Sequence, residues 1–184
     1  MIGIDEVGRG CWAGPLLVVA ARQTGCLVDG LADSKQLSKL QRETLFDDLR
    51  DNFAFGEGWV QPEEIDEHGL ATAMRIGVCR ALLDLKAEAD EEIIMDGTVN
   101  YCPDEFINVT TLAKADQLNS IVSAASIYAK VTRDQHMHRI AQFHPFYGFE
   151  KHVGYGTALH MSALKVHGVS ALHRRSFKPI QAFL

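Results

Sequence analysis

The chain has 184 residues, of which 47% are hydrophobic, and its formal net charge is −6 at pH 7. This size and composition predict a single globular domain over residues 1–184 with a sizeable core. The longest apolar run, residues 15–21, is far shorter than the roughly 20 residues that cross a bilayer, and no basic-then-apolar leader precedes the first motif. We therefore expect a soluble, cytoplasmic protein. The four cysteines show no C-x-x-C spacing, which suggests neither a zinc site nor a disulfide framework.

The charge is unevenly distributed along the chain. Residues 43–67 contain nine acids and one base, whereas residues 130–178 contain eight bases and two acids. Seven of the eight histidines also follow residue 135. A basic C-terminal third could follow a phosphate backbone despite the negative total. A solvated face without a partner explains the same pattern.

Apolar periodicity and capping signals place the elements along the chain. The first half is predicted to contain a strand at residues 3–5, a glycine-rich bend at 8–10, a strand at 16–21, a helix at 38–52, a strand at 55–61 and a helix that begins at Pro62. There follow a helix over the apolar series 74–85, strands at 92–96 and 107–112, and helices at 119–140 and 157–167. This order predicts an α/β domain, with a mixed central sheet flanked by helices and a helical C-terminal part.

Asp5 and Glu6 are adjacent acids near the end of the first strand. Neighbouring side chains on a regular strand point to opposite faces, so both reach one site only if the chain bends. Gly8 and Gly10 could provide such a bend. The alternative is one buried structural acid and one acid in solvent.

Asp96 ends a buried-strand run and precedes Gly97, at the position where open α/β sheets place their sites. Met95-Asp96-Gly97-Thr98 also fits the second half of the nucleophile motif of haloacid-dehalogenase-like phosphatases. Ile94 occupies the position of the nucleophile in that motif, so the phosphatase interpretation fails at its essential residue.

Asp116 precedes the long predicted helix, where an acid can also serve as a cap. Four polar side chains then recur at helical spacing: Ser123, Ser126, Lys130 and Arg133. A row of hydroxyls and cations beside an acidic site suits a phosphate backbone, and it equally suits an ordinary solvated helix face.

Several blocks in a fixed order resemble the ribonuclease HII family across almost the whole chain. They are Gly3-Ile4-Asp5-Glu6-Val7-Gly8-Arg9-Gly10, Ala13-Gly14-Pro15, Asp33-Ser34-Lys35, Met95-Asp96-Gly97, the run from Ser123 to Asp134, Gly154-Tyr155-Gly156-Thr157 and His173-Arg174-Arg175-Ser176-Phe177. Arg9 favours type HII over type HIII, which typically has Lys at that position. The resemblance implies a ribonuclease-H-like fold.

The resemblance also implies a catalytic and metal-binding set of four carboxylates, which map onto Asp5, Glu6, Asp96 and Asp116. Hard oxygen ligands suit Mg²⁺ or Mn²⁺. Two such ions about 4 Å apart can activate a water and stabilise the departing oxyanion of a phosphodiester. The implied activity is cleavage of the RNA strand of RNA–DNA hybrids, and cleavage 5′ of single ribonucleotides in duplex DNA. It leaves 5′-phosphate and 3′-hydroxyl ends.

Selectivity for RNA must come from the 2′-hydroxyl, which DNA lacks. The bend Gly8-Arg9-Gly10 resembles the family's sensor of that hydroxyl, and Tyr155 resembles the tyrosine that packs on the sugar at an RNA–DNA junction. The resemblance adds Lys35 as a substrate contact. Possible contacts with the nucleic-acid backbone are Lys130, Arg174 and Arg175. A monomer is expected.

Two features depart from the family pattern: Cys11-Trp12 replaces a frequent Pro-Leu, and Gln117 stands where Ser is common. Neither removes a carboxylate.

Two alternative hypotheses assign the chain a different function. A non-catalytic hybrid-binding subunit would normally have lost some of the acids, and a DNA exonuclease or integrase-like enzyme on the same fold would not need the glycine bend or Tyr155.

Overall fold

Five strands form one sheet at the centre of the computed structural model, which describes residues 1–26, 28, 30, 31 and 38–184. The strands are β1 (Ile2–Val7), β2 (Leu16–Gln23), β3 (Phe53–Val60), β4 (Ile93–Asp96) and β5 (Val109–Leu112). Their spatial order is β3-β2-β1-β4-β5. Strands β1, β2 and β3 pair antiparallel, whereas β4 runs parallel to both β1 and β5. The mixed sheet predicted from the sequence is confirmed.

Helices cover both faces of this sheet and form the C-terminal part. They are α1 (Lys39–Asn52), α2 (Pro62–Leu85), α3 (Ala115–Leu118), α4 (Ser120–Phe143), α5 (Phe149–His152), α6 (Ala158–His167) and α7 (Lys178–Gln181). In the part of the chain that the structure describes, no helix combines the length and the apolar character needed to cross a membrane.

Strands β1 and β2 are buried on both faces, and their side chains alternate between two apolar clusters. Ile4 and Val18 belong to the cluster under α2, whereas Val7 and Val19 belong to the cluster under α1 and α4. A third cluster joins the end of α4 to helices α5, α6 and α7. The alternation follows from the two-residue period of a strand, and it determines which face each strand side chain meets.

Most predicted elements are confirmed, with shifts at their ends. Ser38 and Gln41 form the predicted capping box at the start of α1. The two helices expected between residues 62 and 85 are confirmed: α2 is divided at Gly69, whose φ of 76° and ψ of 161° are not helical. The strand predicted at 107–112 begins only at Val109, because Ile107 is 80% exposed and pairs with no neighbour in β4.

The N-terminal half of α4 lies directly on β1. A Cβ atom at Gly3 would come within 2.6 Å of the main-chain carbonyl carbon of Ile121, so only glycine permits this approach. Asn119 caps the helix by accepting hydrogen bonds from the amides of Ile121 and Val122. The close packing brings Ser126 of α4 over Asp5 of β1, and the serine hydroxyl lowers the pKa of the Asp5 carboxyl.

Candidate active site

Three of the four predicted acids lie on the side of the sheet that faces α4. Register pairs Ile4 of β1 with Met95 of β4, so Asp5 and Asp96 are the next pair along two parallel strands. Neighbouring strands are about 4.8 Å apart. The Asp96 carboxylate accepts a hydrogen bond of 2.7 Å from the amide of Ala115, which places Asp116 one residue beyond that contact. Asp116 is buried.

Glu6 points to the opposite side of the sheet from Asp5. The strand pairs regularly through Val7, and the bend begins only at Gly8, where φ is 85°. The bend comes two residues after Glu6, so of the two arrangements that the sequence allowed, the structure has the two acids on opposite faces of β1. Glu6 still interacts electrostatically with Asp96 at the end of the neighbouring strand.

The burial of Asp5 and the charges around it change its acidity. Asp5 is 9% exposed, and its carboxylate accepts a hydrogen bond of 2.8 Å from the amide of Glu6. Burial raises the pKa of Asp5 to about 7, and the negative charges of Glu6 and Asp96 add to this rise. The hydrogen bonds from Ser126 and the Glu6 amide act in the opposite direction. Asp5 is therefore partly protonated near neutral pH.

Arg9 of the bend lies against Glu6. Its Nη1 atom is 3.4 Å from Glu6 Oε1, and its Nη2 atom donates to the Tyr101 hydroxyl at 3.4 Å. Burial raises the pKa of the Glu6 carboxyl, and the Arg9 guanidinium opposes that rise. Tyr101 was not identified from the sequence, because it contacts Arg9 across 92 positions and no local pattern indicates it.

The two predicted selectivity glycines have different surroundings. A Cβ atom at Gly8 would overlap the guanidinium of Arg133, so the fold itself requires glycine there. At Gly10, no atom of the described residues lies within 4 Å of the position that a Cβ atom would occupy, and φ is outside the left-handed region. A side chain at Gly10 would project from the exposed bend into open space.

The turn that carries Tyr155 lies beside this bend. The amides of Trp12 and Ala13 both donate to the Gly154 carbonyl, at 2.8 and 3.3 Å. Tyr155 is 40% exposed, and Lys130 Nζ is 5.8 Å from the centre of its ring. The structure therefore brings together the predicted bend, the predicted tyrosine and one predicted cation.

The remaining predicted cations differ in exposure. Lys130 is partly exposed and forms an ion pair with Asp134 at 2.9 Å, and the side chain of Arg175 is exposed. Lys35, with the motif Asp33-Ser34-Lys35, lies outside the described residues.

The structure corrects two expectations, a surface position for Arg174 and an exposed row of polar side chains on α4. Arg174 is completely buried and donates to the carbonyls of Arg9 and Gly14, so it has no surface to offer a phosphate. Arg133 and Ser123, predicted on a solvated or phosphate-facing row of α4, are also completely buried. The spacing along the helix is as predicted, but Ser123 and Arg133 pack against the rest of the fold, whereas Ser126 and Lys130 stay partly exposed.

The four carboxylates are not drawn together into a finished ligand group. Within residues 1–26, 28, 30, 31 and 38–184, no three His, Cys, Asp or Glu side chains are close enough to hold a metal ion together. The donor chemistry nevertheless fits a hard divalent cation, since the set is entirely carboxylate, and a cation would favour the ionised form of Asp5 that burial and the charges of Glu6 and Asp96 disfavour.

The mixed sheet, with acids near the carboxyl ends of β1 and β4, and the similarity to solved and curated ribonucleases together place this protein in the class of ribonuclease H hydrolases. The ribonuclease HII in a solved PCNA complex from Archaeoglobus fulgidus has a TM-score of 0.79 and 27% identity, covering 96% of this chain and 94% of that one. Ribonuclease H2 from Pyrococcus horikoshii OT3 has a TM-score of 0.75 and 29% identity, with 99% and 95% covered.

Sequence comparison identifies the family. The family model described as ribonuclease HII matches residues 2–180. A ribonuclease HII from Marinomonas sp. strain MWYL1 is 40% identical over 186 residues, which cover 100% of this chain and 92% of that protein. The chain belongs to the ribonuclease HII family, and this membership with the shared fold supports endonuclease activity on an RNA strand.

Proposed function

We propose that this protein cleaves the RNA strand of RNA–DNA hybrids, and also cuts 5′ of single ribonucleotides in duplex DNA, by two-metal-ion hydrolysis. The products are a 5′-phosphate and a 3′-hydroxyl. One observation carries the proposal: the Trp12 and Ala13 amides on the Gly154 carbonyl hold the glycine bend beside the Tyr155 turn. Both therefore adjoin the strand that carries Asp5 and Glu6.

The carboxylates Asp5, Glu6, Asp96 and Asp116 would hold Mg²⁺ or Mn²⁺. When bound, such ions lower the pKa of a bound water and stabilise the charge on the leaving oxygen. The chain's own contribution is to position the donors: the Ala115 amide orients the Asp96 carboxylate, and the Glu6 amide orients that of Asp5. Arg9 neutralises part of the charge on Glu6.

The bend and the tyrosine would select the ribonucleotide. Gly10 is exposed, and nothing described in the protein packs where its side chain would lie, so the absence of a side chain leaves room for a close approach of substrate to the main chain. The half-exposed ring of Tyr155 offers a flat apolar surface for a sugar. Lys130 and Arg175 stand at the surface for phosphate contacts.

One chain supplies every residue assigned to this site, so a monomer suffices for the reaction, and sedimentation velocity of the active enzyme would test this. The activity suits removal of ribonucleotides from cytoplasmic DNA during replication and repair.

The proposal is tested with a 5′-labelled duplex that contains one ribonucleotide, incubated with Mg²⁺, with Mn²⁺ or with chelator. We expect a single cut on the 5′ side of the ribonucleotide, only with metal. An all-DNA duplex of the same sequence is the control. Equal cutting of both duplexes would instead indicate a DNA nuclease on the same fold, and binding without cutting would indicate a hybrid-binding subunit.

A further inference from the structure

Two arginines lie in the interior behind the glycine bend. Arg133 of α4 and Arg174 of the C-terminal part have no exposed surface. Burying a guanidinium is costly unless its donors find partners. The partners of both side chains are main-chain carbonyls, and all of these belong to two short segments, residues 9–15 and residue 153.

Arg133 joins the two segments. Its Nε atom donates to the Pro15 carbonyl at 2.8 Å, and Nη1 donates to the Val153 carbonyl at 2.9 Å. Nη2 reaches the Ala13 carbonyl at 3.4 Å. A single planar group thus links the chain that leaves the bend to the residue two positions before Tyr155.

Arg174 holds the bend itself. Its Nη1 atom donates to the Arg9 carbonyl at 2.9 Å, while Nε and Nη2 both donate to the Gly14 carbonyl, at 3.1 and 2.9 Å. The Arg174 amide also donates to the Trp12 carbonyl at 2.8 Å. Arg174 therefore fixes the carbonyl groups on both sides of residues 10–13.

Gly8 makes room for the guanidinium group of Arg133, because a Cβ atom there would overlap it. Side chains at Gly14 and Gly154 are excluded by other neighbours: Cβ atoms there would overlap Met137 and the Ala13 carbonyl. Gly8 therefore serves the internal arginine, whereas Gly14 and Gly154 allow the two segments to pack closely.

We propose that Arg133 and Arg174 are positioning residues that set the separation between the Gly8-Arg9-Gly10 bend and the Tyr155 turn, and thereby the preference for a single embedded ribonucleotide. This inference rests on the proposed function. A lysine cannot replace either arginine fully, because its one nitrogen cannot span carbonyls that a planar fork of donors reaches together.

Cleavage at a single embedded ribonucleotide should depend on the separation between the bend and the Tyr155 turn more strongly than cleavage of a long hybrid does. A duplex with one ribonucleotide offers a single 2′-hydroxyl, so the bend and Tyr155 must meet the same nucleotide. A long hybrid offers a 2′-hydroxyl at every position of the RNA strand, and a displaced bend can still find one. Displacement of groups by about 1 Å can cost roughly 100-fold in rate.

The test compares Arg133→Lys and Arg174→Lys with wild type on two substrates, a duplex with one ribonucleotide and an RNA–DNA hybrid of equal length. We expect kcat/KM on the single ribonucleotide to fall about tenfold more than kcat/KM on the hybrid. This difference is smaller than the roughly 100-fold loss in rate that a displacement of about 1 Å can cause. The additional loss should appear in kcat. Leu82→Ala is the matched control. Leu82 is buried in the cluster under α2, so its replacement lowers stability away from the bend and the Tyr155 turn.

The outcomes separate the two proposals. If wild type does not cut at a single ribonucleotide, the proposed function fails. If wild type cuts there, and both lysine variants change the two substrates by one common factor as Leu82→Ala does, only the positioning role is wrong. Two arginine variants are measured because either one alone could fail to fold, and circular dichroism reports which of them keeps the native structure.

Discussion

The acidic end of the sheet and the bend beside Tyr155 are built in opposite ways. Asp5 and Asp96 are strand residues, aligned by the register of β1 with β4, and their side chains lie on the α4 side of the sheet. The bend and the turn present main chain, and buried side chains from distant parts of the sequence hold them. The proposal thus assigns hydrolysis to side chains on regular strands. It assigns selectivity to main-chain segments that buried side chains hold in place.

The largest expected effect tests the acidic end. Asp96→Asn should abolish cleavage of both substrates, by about 1,000-fold or more, because a lost carboxylate removes several kcal/mol of metal-mediated stabilisation. The amide oxygen of Asn can still accept from Ala115, so the melting temperature should change little. Cleavage assays with thermal unfolding check this, and Asp104→Asn, an exposed acid, is the control. Full activity in Asp96→Asn would disprove the site.

The two glycines of the bend should respond differently. Gly10→Ala should lower cleavage about 100-fold without loss of stability, since its methyl group enters open space where the substrate must approach. Gly8→Ala should lower both activity and the melting temperature, because φ is 85° and the methyl group meets Arg133. Equal melting temperatures for the two variants would show that Arg133 does not constrain Gly8.

Tyr155→Ala should reduce cutting at a single ribonucleotide by about tenfold, comparable with the loss of one stacking contact of about 1–3 kcal/mol. Tyr155→Phe keeps the ring and should retain most activity. Steady-state assays on the single-ribonucleotide duplex check both variants. An alanine variant as active as wild type would remove Tyr155 from the proposed recognition surface.

The smallest expected effect is the change of stability with pH near neutrality, which depends on three groups with shifted pKa values. His160 and His173 share a hydrogen bond of 3.0 Å, and burial lowers the pKa of each to about 4, from 6.5. Their contribution to stability is therefore present above pH 6.5 and is lost as the pH falls through 4. Asp5 acts in the opposite direction: its contribution is present below 3.8 and is lost as the pH rises through 7.

Asp5→Asn separates these opposing contributions. In this variant without added metal, the melting temperature should fall by about 2–4 °C for each kcal/mol lost as the pH is lowered from about 7 to about 5. Wild type should fall less over the same range, because protonation of Asp5 compensates. The decline matters for Tyr155, whose carbonyl is 2.9 Å from His160 Nδ1. Replacement of exposed His68 by Gln is the control, and identical curves for wild type and Asp5→Asn would contradict the assignment.

The sequence predicted the sheet and its acidic residues better than the buried arginines that hold the glycine bend. Asp96 was identifiable because an acid that ends an apolar strand run is a local signal, and strand register then places it beside Asp5. The sequence left the face of Glu6 open, since it does not show that pairing of β1 with β2 continues through Val7. The mixed sheet followed from the order of elements alone.

Arg174 and Arg133 show why the rest could not be predicted. Charged residues are usually exposed, and a basic motif normally indicates a surface for phosphate. Only the three-dimensional packing shows that Arg174 meets the Arg9 carbonyl across 165 positions and Arg133 meets the Pro15 carbonyl across 118. A helical spacing of polar residues does not show which face of α4 packs inside.

The hydrogen bond between Arg174 and Arg9 also has a consequence for the order of folding. The hairpin of β1 and β2 joins neighbouring segments and can pair as soon as both exist. The bend between them reaches its final shape only after residues near 174 arrive, at nearly the greatest sequence separation the chain permits. The pairing of β1 with β2 therefore needs only the first 23 residues, whereas the proposed recognition surface needs almost the whole chain.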